Sequence, residues 1–96
     1  MLVVVSYDVS TKDAAGRRRL RRVAKACTNK GYRVQYSVFE CLVDPAEWTV
    51  LRSELLGIID PTQDGLRFFF LGSNWRKRIE CHGTRQPIEP GDPIVL

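Results

Sequence analysis

The stretch LRFFFLG, Leu66 to Gly72, restricts the fold more than any other part of the chain. Neighbouring side chains of an extended strand leave on opposite faces, so Phe68 and Phe70 lie on one side and Phe69 and Leu71 on the other. Such a strand must be covered on both faces. A chain of 96 residues builds one domain with one modest core, and two short helices cover only one face of a sheet. The uncovered apolar surface favours self-association, and a homodimer is expected.

The remaining elements follow from periodicity. Leu2 to Tyr7 is a short Val-rich run of strand length. Ser10, with Asp13 three residues later, resembles a loose capping box that opens a helix over about Ala14 to Lys30. Leu20, Val23, Ala24 and Cys27 repeat at i, i+3, i+4 and i+7 and form its buried face, with Gly31 as the expected stop. In RVQYSVFECLV, Arg33 to Val43, the apolar parity flips at Val38–Phe39, which predicts two short strands joined by a bulge or sharp bend. Asp44-Pro45 opens a second helix carrying Trp48, Leu51, Leu55 and Ile58 and ending near Ile59. DPTQDG, Asp60 to Gly65, is a turn.

The order is β-α-β-β-α-β. That is the ferredoxin-like α+β sandwich: a four-stranded antiparallel sheet with two helices on one face. Residues 1–78 are read as this domain and 79–96 as a Pro-rich tail, in which Ile94 to Leu96 could form an extra strand swapped onto the partner's sheet.

Charge is segregated along the chain. Residues 1–33 carry net +7, residues 34–65 net −5 and residues 66–96 net +2. A basic first helix on a chain of overall charge +4 points to a polyanionic partner, most often nucleic acid. Arg17, Arg18, Arg19, Arg21, Arg22 and Lys25 form a cationic ridge, and Arg33 and the Arg76–Arg78 segment add to it. Guanidinium contacts to phosphate read shape and not base sequence, so binding should depend strongly on salt. Cys27, Cys41 and Cys81 show no C-x-x-C spacing and are expected to be free thiols. No apolar run reaches the length of a membrane span and no signal-peptide pattern opens the chain, so the expectation is a cytoplasmic protein without membrane contact.

One carboxylate stands out. Asp8 closes the first strand where the chain turns toward the helix, a position that fixes a charged group at the solvent boundary. It is equally readable as an exposed strand-end residue or a turn acceptor. As a metal ligand it is incomplete alone, because Mg²⁺ commonly takes one or two carboxylates with water and phosphate oxygens. A two-fold dimer could bring two copies of Asp8 together around one cation. Tyr7, Tyr36 and Phe39 have rings able to stack on bases, although core or interface packing suits their strand positions better. The adjacent Cys81 and His82 point in different directions along an extended segment and make a weak nucleophile–base pair.

VVVSYDVS, the Arg-rich helix, RVQYSVFEC, the acidic second helix and the last strand, in that order, resemble the family of small CRISPR-associated endoribonucleases of spacer acquisition over residues 1 to about 78. The resemblance implies a ferredoxin-like homodimer that works with the CRISPR integrase to capture DNA, and Mg²⁺-dependent endonuclease activity on RNA or double-stranded DNA. It also implies Asp8 as metal ligand with Tyr7 beside it, Arg19, Arg22 and Arg33 on phosphate, and Ser37 and Phe39 near the site. Two readings stay open at this point: a metal-dependent phosphodiesterase, and an architectural DNA-binding subunit without its own catalysis.

Overall fold

The computed structural model describes residues 1–71 and 79–84. Seven elements follow one another: β1 (Leu2–Asp8), α1 (Ala14–Thr28), β2 (Gly31–Gln35), β3 (Val38–Leu42), α2 (Pro45–Ile58), β4 (Gly65–Phe70) and β5 (Ile79–Gly83). The strands form one antiparallel sheet in the order β2-β3-β1-β4-β5. The first four reproduce the ferredoxin-like order, with β1 at the centre. β5 is a correction to the four-stranded expectation, since it lies in the segment read as a tail and continues the sheet beyond residue 78.

Alternation along the strands separates two apolar clusters. Val3, Val5, Tyr7, Phe39, Cys41, Leu66 and Phe68 face the helices and pack with Val23, Ala26 and Cys27 of α1 and Trp48, Leu51, Leu55 and Ile58 of α2. Trp48 meets Phe68 edge-on at 4.8 Å between ring centroids. On the opposite face Val4, Val38 and Phe69 are buried, with Ile79 of β5 packed against them. The last long strand is thus apolar on both sides, as its sequence requires. Cys27, Cys41 and Cys81 are free thiols.

The helix ends differ from expectation in two places. Asp13, and not Ser10, is the N-cap of α1: its carboxylate accepts from the Gly16 N–H at 2.7 Å. A Cβ on Gly16 would sit 2.0 Å from the Ser10 carbonyl oxygen, so the first turn closes against the β1–α1 loop only with glycine there. Gly31 does not stop α1, which ends at Thr28 with Asn29 as its cap. Gly31 instead opens β2, where a Cβ would meet the Glu40 carbonyl oxygen at 2.0 Å. The buried stripe of α1 runs through Gly16, Val23, Ala26 and Cys27, rotated from the predicted one so that Ala26 replaces Ala24. α2 matches its predicted stripe and is closed by the Asp44–Glu47 capping box.

β2 and β3 are separate strands, as the parity flip predicts. The break falls at Tyr36-Ser37, two residues before the flip, and a bulge between Arg33 and Gln35 shifts the register. β5 is fastened to the helical layer by Arg52 of α2, whose Nε donates to Glu80 at 2.9 Å, and His82 contacts the same carboxylate. His82 thus partners Glu80, and Cys81 leaves the strand on the other face. The proposed strand at Ile94 to Leu96 and the basic segment Arg76–Arg78 lie outside the described residues.

Candidate nucleic-acid and metal site

One end of the sheet gathers most of the singled-out residues. β1 finishes there at Asp8, α1 begins there, the β2–β3 turn closes there, and β4 starts there. The backbone N–H of Tyr7 donates to the Ser37 carbonyl at 3.1 Å, and Asp8 pairs in register with Gly65. Asp8 is exposed and shares the parity of Val4, so it faces away from the helices.

Tyr7 points the other way. It is buried in the helix-side core and stacks with Phe39 at 6.2 Å between centroids. Consecutive in an extended strand, Tyr7 and Asp8 therefore stand on opposite faces and do not converge within one protomer. Burial raises the Tyr7 phenol above its ordinary pKa, partly offset by a hydrogen bond with Arg33. Phe39, only 1% exposed, offers no ring face to a base. Its outer face carries the Arg33 guanidinium, 5.1 Å from the ring centroid. Ser37 contributes its backbone carbonyl to hold the turn against β1.

Behind this end lies a residue that the sequence reading missed. Asp64, read as part of a turn, is 0% exposed and is the one charged residue among the described buried positions. It accepts the Ser10 N–H at 3.0 Å, the Asp60 N–H at 2.9 Å and the Arg19 Nε at 2.7 Å, with Arg19 Nη2 at 3.4 Å. Burial alone would raise its pKa; Arg19, then the Asp60 and Ser10 N–H groups, outweigh it and hold the carboxyl below its usual range. The Asp64 carbonyl accepts from Thr84 at 3.1 Å. Gly83 permits that approach: its φ is +92°, and a Cβ would fall 1.9 Å from the Asp64 oxygen. One residue thus ties the β1–α1 loop, α1, the α2–β4 turn and the end of β5 together, directly beside the Gly65 that pairs with Asp8.

Arg19 accordingly stands apart from the ridge. Its side chain is 14% exposed and committed to Asp64, whereas Arg17, Arg18, Arg21, Arg22 and Lys25 are exposed along α1. The signal was present in the spacing, because Arg19 follows Gly16 by three and precedes Val23 by four on the buried stripe. A guanidinium there requires an acid from elsewhere in the fold. Arg22 and Lys25 border a groove of about 300 Å³ between α1 and α2. Among the described residues, no group of three or more His, Cys, Asp and Glu side chains is placed to hold a metal ion.

A sequence model of the CRISPR associated protein Cas2 matches residues 1–79. The chain belongs to the Cas2 family. Over its whole length it is 58% identical to the CRISPR-associated endoribonuclease Cas2 of Chlorobaculum tepidum, all of which it covers. It is 47% identical to the CRISPR-associated endonuclease Cas2 of Halalkalibacterium halodurans, again over the whole of both chains. The crystal structure of Streptococcus pyogenes Cas2 at pH 6.5 superposes with a TM-score of 0.70 at 54% identity, covering 83% of this chain and 96% of that one. The resemblance and the fold read from the sequence both hold, and the Asp64–Arg19 pair is part of how this Cas2-family chain builds the end of its sheet. No described helix is long and apolar enough to cross a membrane.

Proposed function

We propose that the chain is a divalent-metal-dependent endonuclease of RNA or double-stranded DNA that acts as a cytoplasmic homodimer and works with the CRISPR integrase in spacer acquisition. The observation that carries this reading is Asp8, an exposed carboxylate fixed at the end of the central strand beside the Asp64 network and at the end of the sheet where α1 begins. The names of the relatives, endoribonuclease and endonuclease, support phosphodiester cleavage.

The donor set fits Mg²⁺ as half of a site: Asp8 is a hard oxygen donor at an exposed position, and among the described residues of one protomer no group of three or more His, Cys, Asp and Glu side chains gathers to hold an ion. Asp8 of each copy would hold the ion. When bound, it would supply an activated water or offset charge on the leaving oxygen. The exposed guanidinium groups of Arg17, Arg18, Arg21 and Arg22 take up phosphates of the substrate, and the Asp64–Arg19 pair keeps the end of β1 in place. Cleavage is expected with Mg²⁺, lost on chelation and restored when Mg²⁺ is added back. Absence of cleavage with every divalent ion tried would overturn the catalytic reading.

The architectural reading is supported by the contrast between five exposed cations on one helix and one carboxylate. Reversing Arg17, Arg18, Arg21 and Arg22 to Glu is expected to lower duplex affinity by at least about tenfold. It should also flatten the salt dependence by up to about four in log K against log salt. Unchanged affinity and slope in a salt titration would remove α1 from the interface.

A further inference from the structure

The three aromatic residues considered for base stacking separate in the fold. Tyr7 and Phe39 are core, whereas Tyr36, in the two-residue turn between β2 and β3, is 81% exposed. A tyrosine ring left in water at a tight turn gains little for folding. Its position is nonetheless well defined. Gln35 and Val38 pair across the turn, and the Tyr7 N–H holds the Ser37 carbonyl.

Arg33 completes the arrangement. Its guanidinium carbon lies 5.7 Å from the Tyr36 centroid and 5.1 Å from the Phe39 centroid. The cation is thus oriented in advance by two rings, so less side-chain freedom is lost when it meets an anion. An exposed aromatic ring beside a fixed guanidinium matches the chemistry of one nucleotide, a flat base and a phosphate. Bases within a duplex are stacked on both faces by their neighbours; only an unpaired base has a face to offer.

We propose that Tyr36 and Arg33 form a subsite for an unpaired nucleotide of a single-stranded nucleic acid, the base stacking on Tyr36 and the phosphate held by Arg33. The subsite lies at the end of the sheet that carries Asp8, with α1 packed against β2 beside it. This inference rests on the nucleic-acid-binding reading above and adds Tyr36 to the residues that meet the substrate.

The test is fluorescence anisotropy with a labelled oligothymidylate strand and a blunt duplex of equal length, using the full chain, Tyr36→Ala and Tyr36→Phe, with elution volume monitored by size exclusion. Tyr36→Ala is expected to weaken single-strand binding about tenfold, the size of one lost base–aromatic stack, and to leave duplex binding unchanged. Tyr36→Phe keeps the ring and should stay within about twofold of the unmodified chain. Unchanged single-strand affinity in Tyr36→Ala, an equal loss on both substrates, or a Tyr36→Phe as weak as Tyr36→Ala overturns the subsite alone. A shifted elution volume for Tyr36→Ala assigns the ring to an interface between copies and also overturns it. Failure of the unmodified chain to bind either substrate overturns both the subsite and the proposed function.

Discussion

Replacing Asp64 with alanine is expected to destabilise the fold by about 3 kcal/mol, which for a domain of this size lowers Tm by on the order of 15 °C. The loss comes less from the missing attraction than from what is left behind. Arg19 keeps its charge on the buried stripe of α1 without a counter-ion, and the N–H groups of Ser10 and Asp60 lose their acceptor. The loss falls at the lower end of the range for breaking a buried pair, because the Arg19 side chain retains some exposure and water reaches it. Removing both charges together, as Arg19→Met with Asp64→Leu, should recover much of the loss. Thermal unfolding of the two variants decides the matter: Asp64→Ala within about 0.5 kcal/mol of the unmodified chain would show that the pair does not hold the loops.

The same pair sets an acid limit. The Asp64 carboxyl is held below its ordinary value in the folded state, so its stabilising contribution is complete above the unfolded pKa of about 4 and disappears as pH falls through the folded value. Glu80, lowered chiefly by Arg52, adds to the trend in the same direction. Acid unfolding of the unmodified chain should therefore steepen below about pH 4. Asp64→Ala should show a shallower slope there.

What was legible in the sequence was whatever repeats within one element. The stripe of α2, the Asp44–Pro45 start of that helix, the two-sided β4 and the break between β2 and β3 are all encoded within a few residues of each other. The Asp64–Arg19 pair joins residues 45 apart in the chain, so neither half signals the other locally. Gly31 looked like a helix stop because glycine after a helical run usually is one; here the constraint is the Glu40 carbonyl on the neighbouring strand. β5 was hidden for a related reason. Glu80 and His82 stand at positions facing the helical layer where a buried strand would carry apolar residues, and Arg52, 28 residues earlier, joins His82 in making Glu80 tolerable there.

The candidate site was partly legible. Asp8 at the end of β1 could be picked out because a carboxylate closes an apolar run, and Arg33 because it adds charge near a strand. Which residues face which side depends on tertiary register. Alternation separates Tyr7 from Asp8 once the strand is placed, and burial of Phe39 turns a candidate contact into a support for Arg33.

Asp8→Asn is the substitution with the largest expected effect on activity. The side chain keeps its size and stands exposed at a strand end, so stability should change by no more than about 0.5 kcal/mol. Loss of even the outer partners of metal ligands lowers activity by about 10- to 100-fold, and a direct ligand should cost at least as much; cleavage is expected to fall by on the order of a hundredfold or more. Duplex binding should be unaffected because the ridge is intact. If cleavage disappears and spacer integration persists, catalysis is an activity that the adaptation role does not require, and the architectural reading describes that role. Dimers of mixed composition, one copy unmodified and one Asp8→Asn, test the sharing of the site. Two carboxylates around one ion make the mixed dimer as inactive as the doubly substituted one. If each copy works alone, the mixed dimer retains half the activity, and the shared-ion arrangement is ruled out.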